Sequence, residues 1–194
     1  MPRETSSEHD GRHLRVLRGK DAAIEALLQI YTEGRPYPTF ADIARRAEIS
    51  ERTLFRYFGS YDDFITEAVA KVYPKIREYF TRESVKGDLP TRLLALMELR
   101  CKFVKQYGAM VRSVDVLSAE WKSAKSITAQ REERLAMQLD AWLGEDRKNI
   151  SDESIAVLNN LLGWQSTERM VIALGKRAPE VLANAALAVI KAAH

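Results

Sequence analysis

Aromatic rings and arginines are concentrated in one short segment, ARRAEISERTLFRYFGS, at residues 44–60. The rings are Phe55, Tyr57 and Phe58, and the arginines are Arg45, Arg46, Arg52 and Arg56. Rings bury a large apolar area and can anchor a short helix on its scaffold. A guanidinium group binds phosphate oxygens and can read guanine through two parallel hydrogen bonds. The segment therefore predicts a short helix that rings hold in place and whose outer side carries positive charge.

Side chains that commonly carry catalysis are scarce in the body of the chain. The histidines are His9, His13 and His194, all close to the ends, where chains are usually poorly ordered. The one cysteine, Cys101, excludes an internal disulfide and a paired-cysteine zinc site. We therefore expect a protein that is not an enzyme and has no metal site and no cofactor.

The composition is that of an ordinary globular protein. The 194 residues are 46% hydrophobic and 29% charged, as in typical soluble domains. Apolar runs are far shorter than the roughly 18 residues that suggest a membrane span, and the N-terminus lacks the apolar part of a secretory signal. We expect a cytoplasmic protein without membrane contact. Because the net charge is only +3, nucleic-acid binding would require a local basic patch.

Helical periodicity and capping residues divide the N-terminal third into short elements. Helices are predicted over 15–33, 40–47 and 51–57. Capping residues precede the second and third helices and the long helix that follows them. These caps are Thr39 with Asp42, Ser50, and Ser60 with Asp63.

Longer helices fill the rest of the chain, which predicts an all-α fold. They are predicted over 61–84, 90–107, 108–117, 120–143, 151–174 and 178–193. Pro74 should kink the first of them. The run VRSVDV at 111–116 could pass for a strand, but its helical neighbours favour a helix.

Two short helices joined by a tight turn form a helix-turn-helix. A helix of this width fits the DNA major groove, where Arg52 can read guanine and Thr53 can touch a thymine methyl group or a phosphate. Arg45 and Arg46, on the preceding helix, are placed to meet backbone phosphates. Arginines on short helices are also often merely solvated, and the same geometry occurs in structural bundles. Periodicity alone therefore leaves both interpretations open.

Residues 24–65 resemble the N-terminal domain of the TetR family of bacterial transcriptional regulators. The matching residues are Gly34, Thr39, Ile43, Ala44, Ala47, Ile49, Ser50, Leu54, Phe55, Tyr57, Phe58 and Ser60. The resemblance implies a flexible arm (1–13), a three-helix DNA-binding domain (14–60) and a ligand-binding and dimerisation domain (61–194). With the exposed positions above, it predicts that DNA is contacted by Thr39, Arg45, Arg46, Ser50, Glu51, Arg52, Thr53, Phe55, Arg56, Tyr57 and Tyr61.

Four residues depart from the family pattern. Glu48 occupies the turn position where glycine is usual, so we expect it to tolerate a positive φ at a cost of about 1 kcal/mol or more. Phe55 lacks the hydroxyl of the usual tyrosine, and Tyr61 replaces a lysine that commonly binds phosphate. Glu51 adds a second negative charge near the predicted DNA surface. We therefore expect fewer phosphate contacts than in many members of the family.

The resemblance also implies a small-molecule effector that enters a helical cavity and moves the helix 61–84. Arg100 falls on the apolar face of helix 90–107, where a cation needs a partner. That partner is either a carboxylate of another helix, which we favour, or an anionic ligand. The aromatic candidates are either pocket walls or plain core. The predicted ligand-binding residues are Met97, Arg100, Val104, Tyr107, Met110, Trp121, Trp142, Trp164 and Gln165.

The last two helices are apolar on more than one face, as VLANAALAVIKAA shows. Such a helix is either buried within one subunit or covered by a partner, and the resemblance implies a homodimer. The sequence thus predicts a ligand-responsive regulator, a repressor, that binds a near-palindromic double-stranded operator. One alternative is a helical small-molecule-binding or interaction protein with weak or lost DNA binding. Another is an enzyme that uses Glu98 or Tyr107 in the helical cavity.

Overall fold

The computed structural model describes the backbone of residues 5–192, with the side chains of residue 11 and residues 13–192. Within these residues the chain is helical without a strand, which confirms the predicted all-α fold. Two 3-10 helices, Gly144–Asn149 and Gly175–Arg177, precede α7 and α9. The α-helices are α1 (Thr5–Thr32), α2 (Phe40–Arg46), α3 (Glu51–Phe58), α4 (Tyr61–Thr81), α5 (Leu89–Leu117), α6 (Lys122–Leu143), α7 (Asp152–Leu161), α8 (Trp164–Leu174) and α9 (Ala178–Ala192).

The chain forms two compact units. The first comprises residues up to Lys71 together with Ala109–Ala124, and the second comprises Val72–Gly108 and the residues from Lys125 onward. Helices α4 and α5 therefore each contribute to both units. We call α1, α2 and α3 the head, which belongs to the first unit. The domain boundary predicted at residue 60 stays a prediction. So does the flexibility of residues 1–13, of which 1–4 lie outside the described residues.

Edge-to-face ring packing joins the head to the start of α4. Phe64 of α4 is fully buried, and its ring centroid lies 4.7 Å from that of Phe58 and 5.6 Å from that of Phe40. The Lys20 ammonium of α1 sits 4.8 Å from the Phe58 ring and pairs with Glu67 at 2.7 Å. These contacts fix α2 and α3 against two longer helices, which a short helix requires because it is marginal alone.

The second unit has an aliphatic core contributed by α5, α6, α7 and α9. Leu96 and Met97 of α5 are fully buried there, as are Leu139 of α6 and Leu158 of α7. Arg92 closes the end of α6, because its Nη1 donates to the Leu143 carbonyl at 2.9 Å and its Nη2 pairs with Asp146.

The break predicted between residues 107 and 108 was wrong. The helices predicted over 90–107 and 108–117 are one continuous helix, α5. Gly108 is buried within it, so packing overrides the roughly 1 kcal/mol by which glycine disfavours a helix. The run 111–116 lies in α5 and is helical, as predicted.

The predicted helix over 151–174 is divided into α7 and α8. Gly163 lies between them in an extended conformation (φ −65°, ψ 173°). A Cβ atom there would come within 2.7 Å of the Asn159 carbonyl oxygen, so only glycine fits. Three other ends also shift: α1 begins at Thr5 instead of residue 15, α4 ends at Thr81 instead of residue 84, and α6 begins at Lys122.

Candidate functional site

Helix α3 is held by its first turn and by one buried face. The Ser50 hydroxyl accepts the backbone N–H of Thr53 at 3.1 Å, which confirms the predicted N-cap. Leu54 and Phe58 are buried, also as predicted. The helix ends at Gly59, whose φ of 81° lies in the left-handed region that glycine tolerates. The remaining side of α3 is therefore fixed in orientation and open to a partner.

The three rings of the segment do not share one role. Phe58 is buried against Phe64, whereas Phe55 is 51% exposed and its ring meets Phe40 edge to face with the centroids 4.8 Å apart. Tyr57 is half-buried, and its ring packs directly over Gly19 of α1. The expectation that all three rings anchor the helix was therefore wrong for Phe55, which contributes mainly to the outer surface.

The outer side of α3 carries Glu51, Arg52, Phe55 and Arg56, all exposed, while Thr53 is half-buried. Arg52, Phe55 and Arg56 share one helical face by their spacing. Arg52 makes no hydrogen bond or ion pair with any residue that the structure describes. Its guanidinium group therefore keeps its full hydrogen-bonding capacity for a ligand outside the chain.

The arginines of α2 are paired within the head. Arg45 is 77% exposed and reaches Asp42 at 3.2 Å, an acceptor it shares with Arg35. Arg46 pairs with Glu33 at 2.8 Å. Pairs of this exposure contribute little stability, so a phosphate can replace the carboxylate at small cost.

Helix α2 begins with the predicted capping box. The Thr39 hydroxyl accepts the Asp42 N–H at 3.1 Å, and the Asp42 carboxylate accepts the Thr39 N–H at 3.0 Å. Hydrogen bonds from the Thr39 hydroxyl and N–H, with a further one from Arg35, lower the pKa of Asp42 to about 2. The box fixes the start of the helix-turn-helix and keeps Asp42 ionised.

Glu48 adopts φ 56° in the turn between α2 and α3. This confirms the positive φ that we expected at this position of the turn. The Ile49 N–H donates to the Ala44 carbonyl at 3.0 Å across the same turn. The turn geometry is thus kept although the residue at its tightest point is strained.

Tyr61 contacts other residues of the first unit. Its hydroxyl donates to the Pro38 carbonyl at 2.6 Å, and its ring packs 4.9 Å from Phe40 and 5.3 Å from Trp121. Burial raises the pKa of Tyr61 above its ordinary value, so the proton stays on the hydroxyl. In this structure the hydroxyl proton of Tyr61 is therefore used inside the first unit, and the predicted DNA contact of this residue stays a prediction.

This helix-turn-helix matches the family model described as bacterial regulatory proteins, tetR family, over residues 33–68. Over these residues the chain is therefore similar to the N-terminal domain of the TetR family. The TetR match begins at the end of α1 and extends into the first half of α4. It supports transcription regulation and DNA binding as the role of the head.

Two solved structures are similar in fold over most of this chain. One is a transcriptional regulator from Rhodococcus sp. Rha1, with TM-score 0.61 and 18% identity over 90% of this chain and 95% of that one. The other is a Clostridium perfringens protein described provisionally as a fatty acid metabolism regulator, with TM-score 0.55 and 15% identity over 88% and 97% of the two chains. At these identities the likeness concerns the fold. A search of curated proteins gave no match.

The second unit contains a small cavity next to Arg100. Its volume is about 10 Å³, room for about one water molecule. Of the predicted ligand residues, Arg100, Val104 and Trp164 line it. We call it the Arg100 cavity.

The other predicted ligand residues do not meet at this cavity. Met97 is buried in the aliphatic core, and Gln165 is exposed on α8. Tyr107 is half-buried and packs on Phe103 and Tyr79 with ring centroids 5.5 and 5.8 Å away. The remaining three are Met110 and Trp121, which belong to the first unit, and Trp142, which lines a separate groove.

Sequence reasoning missed most of the residues that line the Arg100 cavity. Tyr79 and Phe80 come from α4, and Leu162 and Thr167 flank the break between α7 and α8. Gln138 of α6 is a buried polar residue with a helical spacing from Leu135 that could have placed it on an inner face. The full set of missed residues is Tyr79, Phe80, Leu99, Phe103, Leu135, Gln138, Leu162 and Thr167.

Among the side chains that the structure describes, those of residue 11 and residues 13–192, no group of three or more His, Cys, Asp and Glu is arranged to hold a metal ion. None of the helices over residues 5–192 combines the length and apolar character that a membrane span needs. Cys101 is a free thiol, and burial raises its pKa to about 11.

Proposed function

We propose that this protein is a homodimeric, ligand-responsive transcriptional repressor that binds a near-palindromic operator through α3. The observation that carries the proposal is Arg52, an exposed and unpaired guanidinium on a helix whose opposite face and first turn are both fixed. A preorganised donor of this kind suits bidentate binding to guanine in the major groove.

The neighbouring side chains supply the contacts that position α3 on the duplex. Arg45 and Arg46 bind phosphates in exchange for their weak intramolecular pairs, and Arg56 meets the backbone or a base edge. Phe55 is exposed beside them and offers an apolar contact to a thymine methyl group. The surface around these residues that faces the duplex is completed by Thr39, Ser50, Thr53 and Tyr57. Glu51 lowers the positive charge of this surface.

Arg52→Ala tests this assignment. The substitution should weaken binding to a selected duplex by about 1–3 kcal/mol and remove the preference at one base position. Arg45→Ala is the matched control: it should weaken all sequences alike and reduce the slope of log K against log salt by roughly 1. A selection from random duplexes, followed by fluorescence anisotropy at several salt concentrations, measures both effects.

Two outcomes of that experiment would contradict the proposal. If Arg52→Ala weakens all duplexes uniformly, Arg52 binds only phosphate. If the wild-type protein binds no duplex at low salt, the interaction-protein alternative is correct. Glu48 and Glu51, both exposed near α3, are the feature that would then explain the lost affinity.

Effector response is proposed to run through α4. One end of this helix is fixed by the Tyr61 hydrogen bond to Pro38, and near its other end Tyr79 and Phe80 line the Arg100 cavity. A ligand that displaces these two rings acts on the same helix that carries Tyr61. Such an element responds only to the difference in ligand affinity between its two states.

The proposed dimer uses α8 and α9. Ile172 of α8 is 75% exposed, and Val181 of α9 is also exposed. Large apolar side chains that remain open on two adjacent helices favour a self-complementary contact with a second copy.

Catalysis is not proposed, since the lining of the Arg100 cavity contains no carboxylate.

A further inference from the structure

Arg100 is a buried cation whose hydrogen bonds go to neutral groups. Only 4% of the residue is exposed. Its Nε donates to Gln138 Oε1 at 3.1 Å, while its Nη1 and Nη2 donate to the carbonyls of Leu162 and Leu135, each at 2.6 Å. The sequence favoured a carboxylate partner, and that expectation was wrong. Backbone carbonyls at a helix end and within α6 orient the guanidinium without cancelling its charge.

The charge of Arg100 is therefore not balanced by direct contact. Glu132 is the acidic group whose charge acts on it, but that carboxylate is bonded to Arg131 at 3.1 Å. Burial lowers the pKa of Arg100 to about 10, so the group is still cationic at neutral pH. A guanidinium has five N–H donors, and three are used. Two donors remain without an acceptor among the described residues.

The walls around this cation are mostly apolar and aromatic. Phe103, Val104 and Trp164 line the Arg100 cavity, and Phe103 and Trp164 pack with their ring centroids 6.0 Å apart. The cavity of about 10 Å³ is far below the roughly 300 Å³ of a typical small-molecule site. A ligand larger than water would therefore have to displace part of the lining to reach Arg100, whose positive charge faces apolar walls.

An open groove leads to the same residues. The α4–α6 groove has a volume of about 350 Å³, lies between the residues from Tyr73 to Ser84 and those from Arg134 to Trp142, and shares Phe80 and Gln138 with the Arg100 cavity. Three arginines and a single acidic residue line it: Arg77, Arg82, Arg134 and Glu83. Phe80 and Gln138 thus separate a positively charged entrance from the buried cation.

We propose that the effector is a carboxylate with an apolar chain, which enters by the α4–α6 groove and pairs with the two unused N–H groups of Arg100. Entry requires Phe80 to move and Gln138 to release Arg100 or to shift with it. The movement of Phe80 opens space beside Phe103, Val104 and Trp164, and the apolar chain of the effector occupies it. This inference rests on the proposed effector response, and it adds the chemical class of the effector.

Three probes with the same chain and different head groups test the inference: octanoate, 1-octanol and octylammonium. Calorimetric titration of the full-length protein should give octanoate a dissociation constant at least roughly tenfold below that of the other two, because its head group pairs with a cation. Arg100→Met should remove this preference. Gln138→Glu should remove it as well, because a carboxylate placed beside Arg100 supplies the missing countercharge. Arg92→Met is the control, since Arg92 lies outside the cavity lining.

The result that overturns the inference is a wild-type protein that binds octanol as tightly as octanoate, or that binds none of the probes. A carboxylate preference that survives Arg100→Met or Gln138→Glu overturns it too. If either variant fails to fold, the other variant and the wild-type comparison still decide. Duplex binding by the wild-type protein without ligand is measured separately. A protein that binds the duplex but not octanoate refutes only this inference, and the reverse result refutes the regulator proposal.

Discussion

At the residue scale, Glu48 is the clearest case of local strain. Its φ of 56° costs a residue with a Cβ atom roughly 1–2 kcal/mol. A glycine at this position avoids that strain, but it also raises the conformational entropy of the unfolded chain, which offsets part of the gain in stability. We expect Glu48→Gly to unfold with a free energy about 1 kcal/mol above that of Glu48→Ala. Chemical denaturation of the two variants measures the difference. Equal stabilities would show that the turn relaxes without cost.

The same pair of variants separates strain from charge in DNA binding. Both remove a carboxylate that is exposed in the turn before α3, so both should bind a duplex more tightly than the wild type at low salt. That gain should shrink as salt rises, because exposed charges are screened. An effect on affinity in the glycine variant alone would instead point to turn geometry.

The sequence placed Arg100 on a buried face but could not identify its partners. Helical spacing alone puts the residue among apolar neighbours, and the structure confirms its burial. Its acceptors are carbonyls of Leu135 and Leu162, which are 35 and 62 residues away along the chain. Backbone acceptors leave no signature in residue type, so the expectation of a carboxylate followed from chemistry alone and was wrong.

At the scale of elements, the cap of α2 links stability to pH. Thr39→Ala should cost about 1 kcal/mol, as loss of an N-cap usually does. The folded-state pKa of Asp42 is about 2, below its ordinary value of 3.8. Because the pKa of Asp42 is lower in the folded protein than in the unfolded chain, ionised Asp42 stabilises the fold when the pH is above the unfolded-state pKa. This contribution is lost as the pH falls from about 4 to about 2.

The same substitution should raise the pKa of Asp42 towards its ordinary value, because it removes the hydrogen bond from the Thr39 hydroxyl, which is the largest cause of the shift, and leaves only the bond from the backbone N–H. The variant should then lose less stability than the wild type over that acid range. An NMR titration of the carboxyl carbon measures the pKa directly. Thr32→Ala is the control, since its hydroxyl bonds only to the Gln29 carbonyl. An unchanged pKa in Thr39→Ala would show that the backbone N–H of residue 39 and Arg35 maintain the shift without the hydroxyl.

Two glycines of α1 allow a matched test of how α3 is seated. A Cβ atom at Gly19 would lie 2.5 Å from Cε2 of Tyr57, whereas one at Gly11 would meet nothing within 4 Å. Gly19→Ala should destabilise the protein by about 1–3 kcal/mol through overpacking and weaken DNA binding by displacing α3. Gly11→Ala should stabilise it by up to about 1 kcal/mol. Thermal unfolding and anisotropy measure both; an unaffected Gly19→Ala would show that Tyr57 moves freely.

Glycine also shows why some element boundaries could be predicted and others could not. Gly59 ends α3 as predicted, because its positive φ follows a capped amphipathic helix. Gly108 lies inside α5, and Gly163 separates α7 from α8. The difference depends on space, since a Cβ atom at Gly163 would collide with the Asn159 carbonyl oxygen. The space available to a Cβ atom depends on tertiary packing, and the spacing of apolar residues in the sequence does not reveal it.

At the scale of the whole molecule, the sequence could assign residues to helix faces but not to units. Trp121 was expected at a ligand pocket, but it packs on Tyr61 in the first unit. The reason is that α5 returns to the first unit at Ala109 and the chain leaves it after Ala124. The bounds of α2 and α3 in the head were predicted to within one residue, because capping residues, aromatic residues and the residues that carry the family resemblance lie close together in the sequence.

The proposed dimer is the property of the whole molecule that a single side chain can test. In a two-fold contact each copy contributes the same patch, so Ile172→Glu places two charges in the interface. Desolvating them should raise the dimer dissociation constant by roughly a hundredfold or more. Sedimentation equilibrium measures this constant. Affinity for a palindromic duplex should fall to that for a half-site, because two α3 helices about 34–36 Å apart no longer bind together. Val116→Glu is the control: Val116 is 55% exposed but lies on α5, so that variant should remain a dimer. A dimeric Ile172→Glu protein would exclude α8 from the interface.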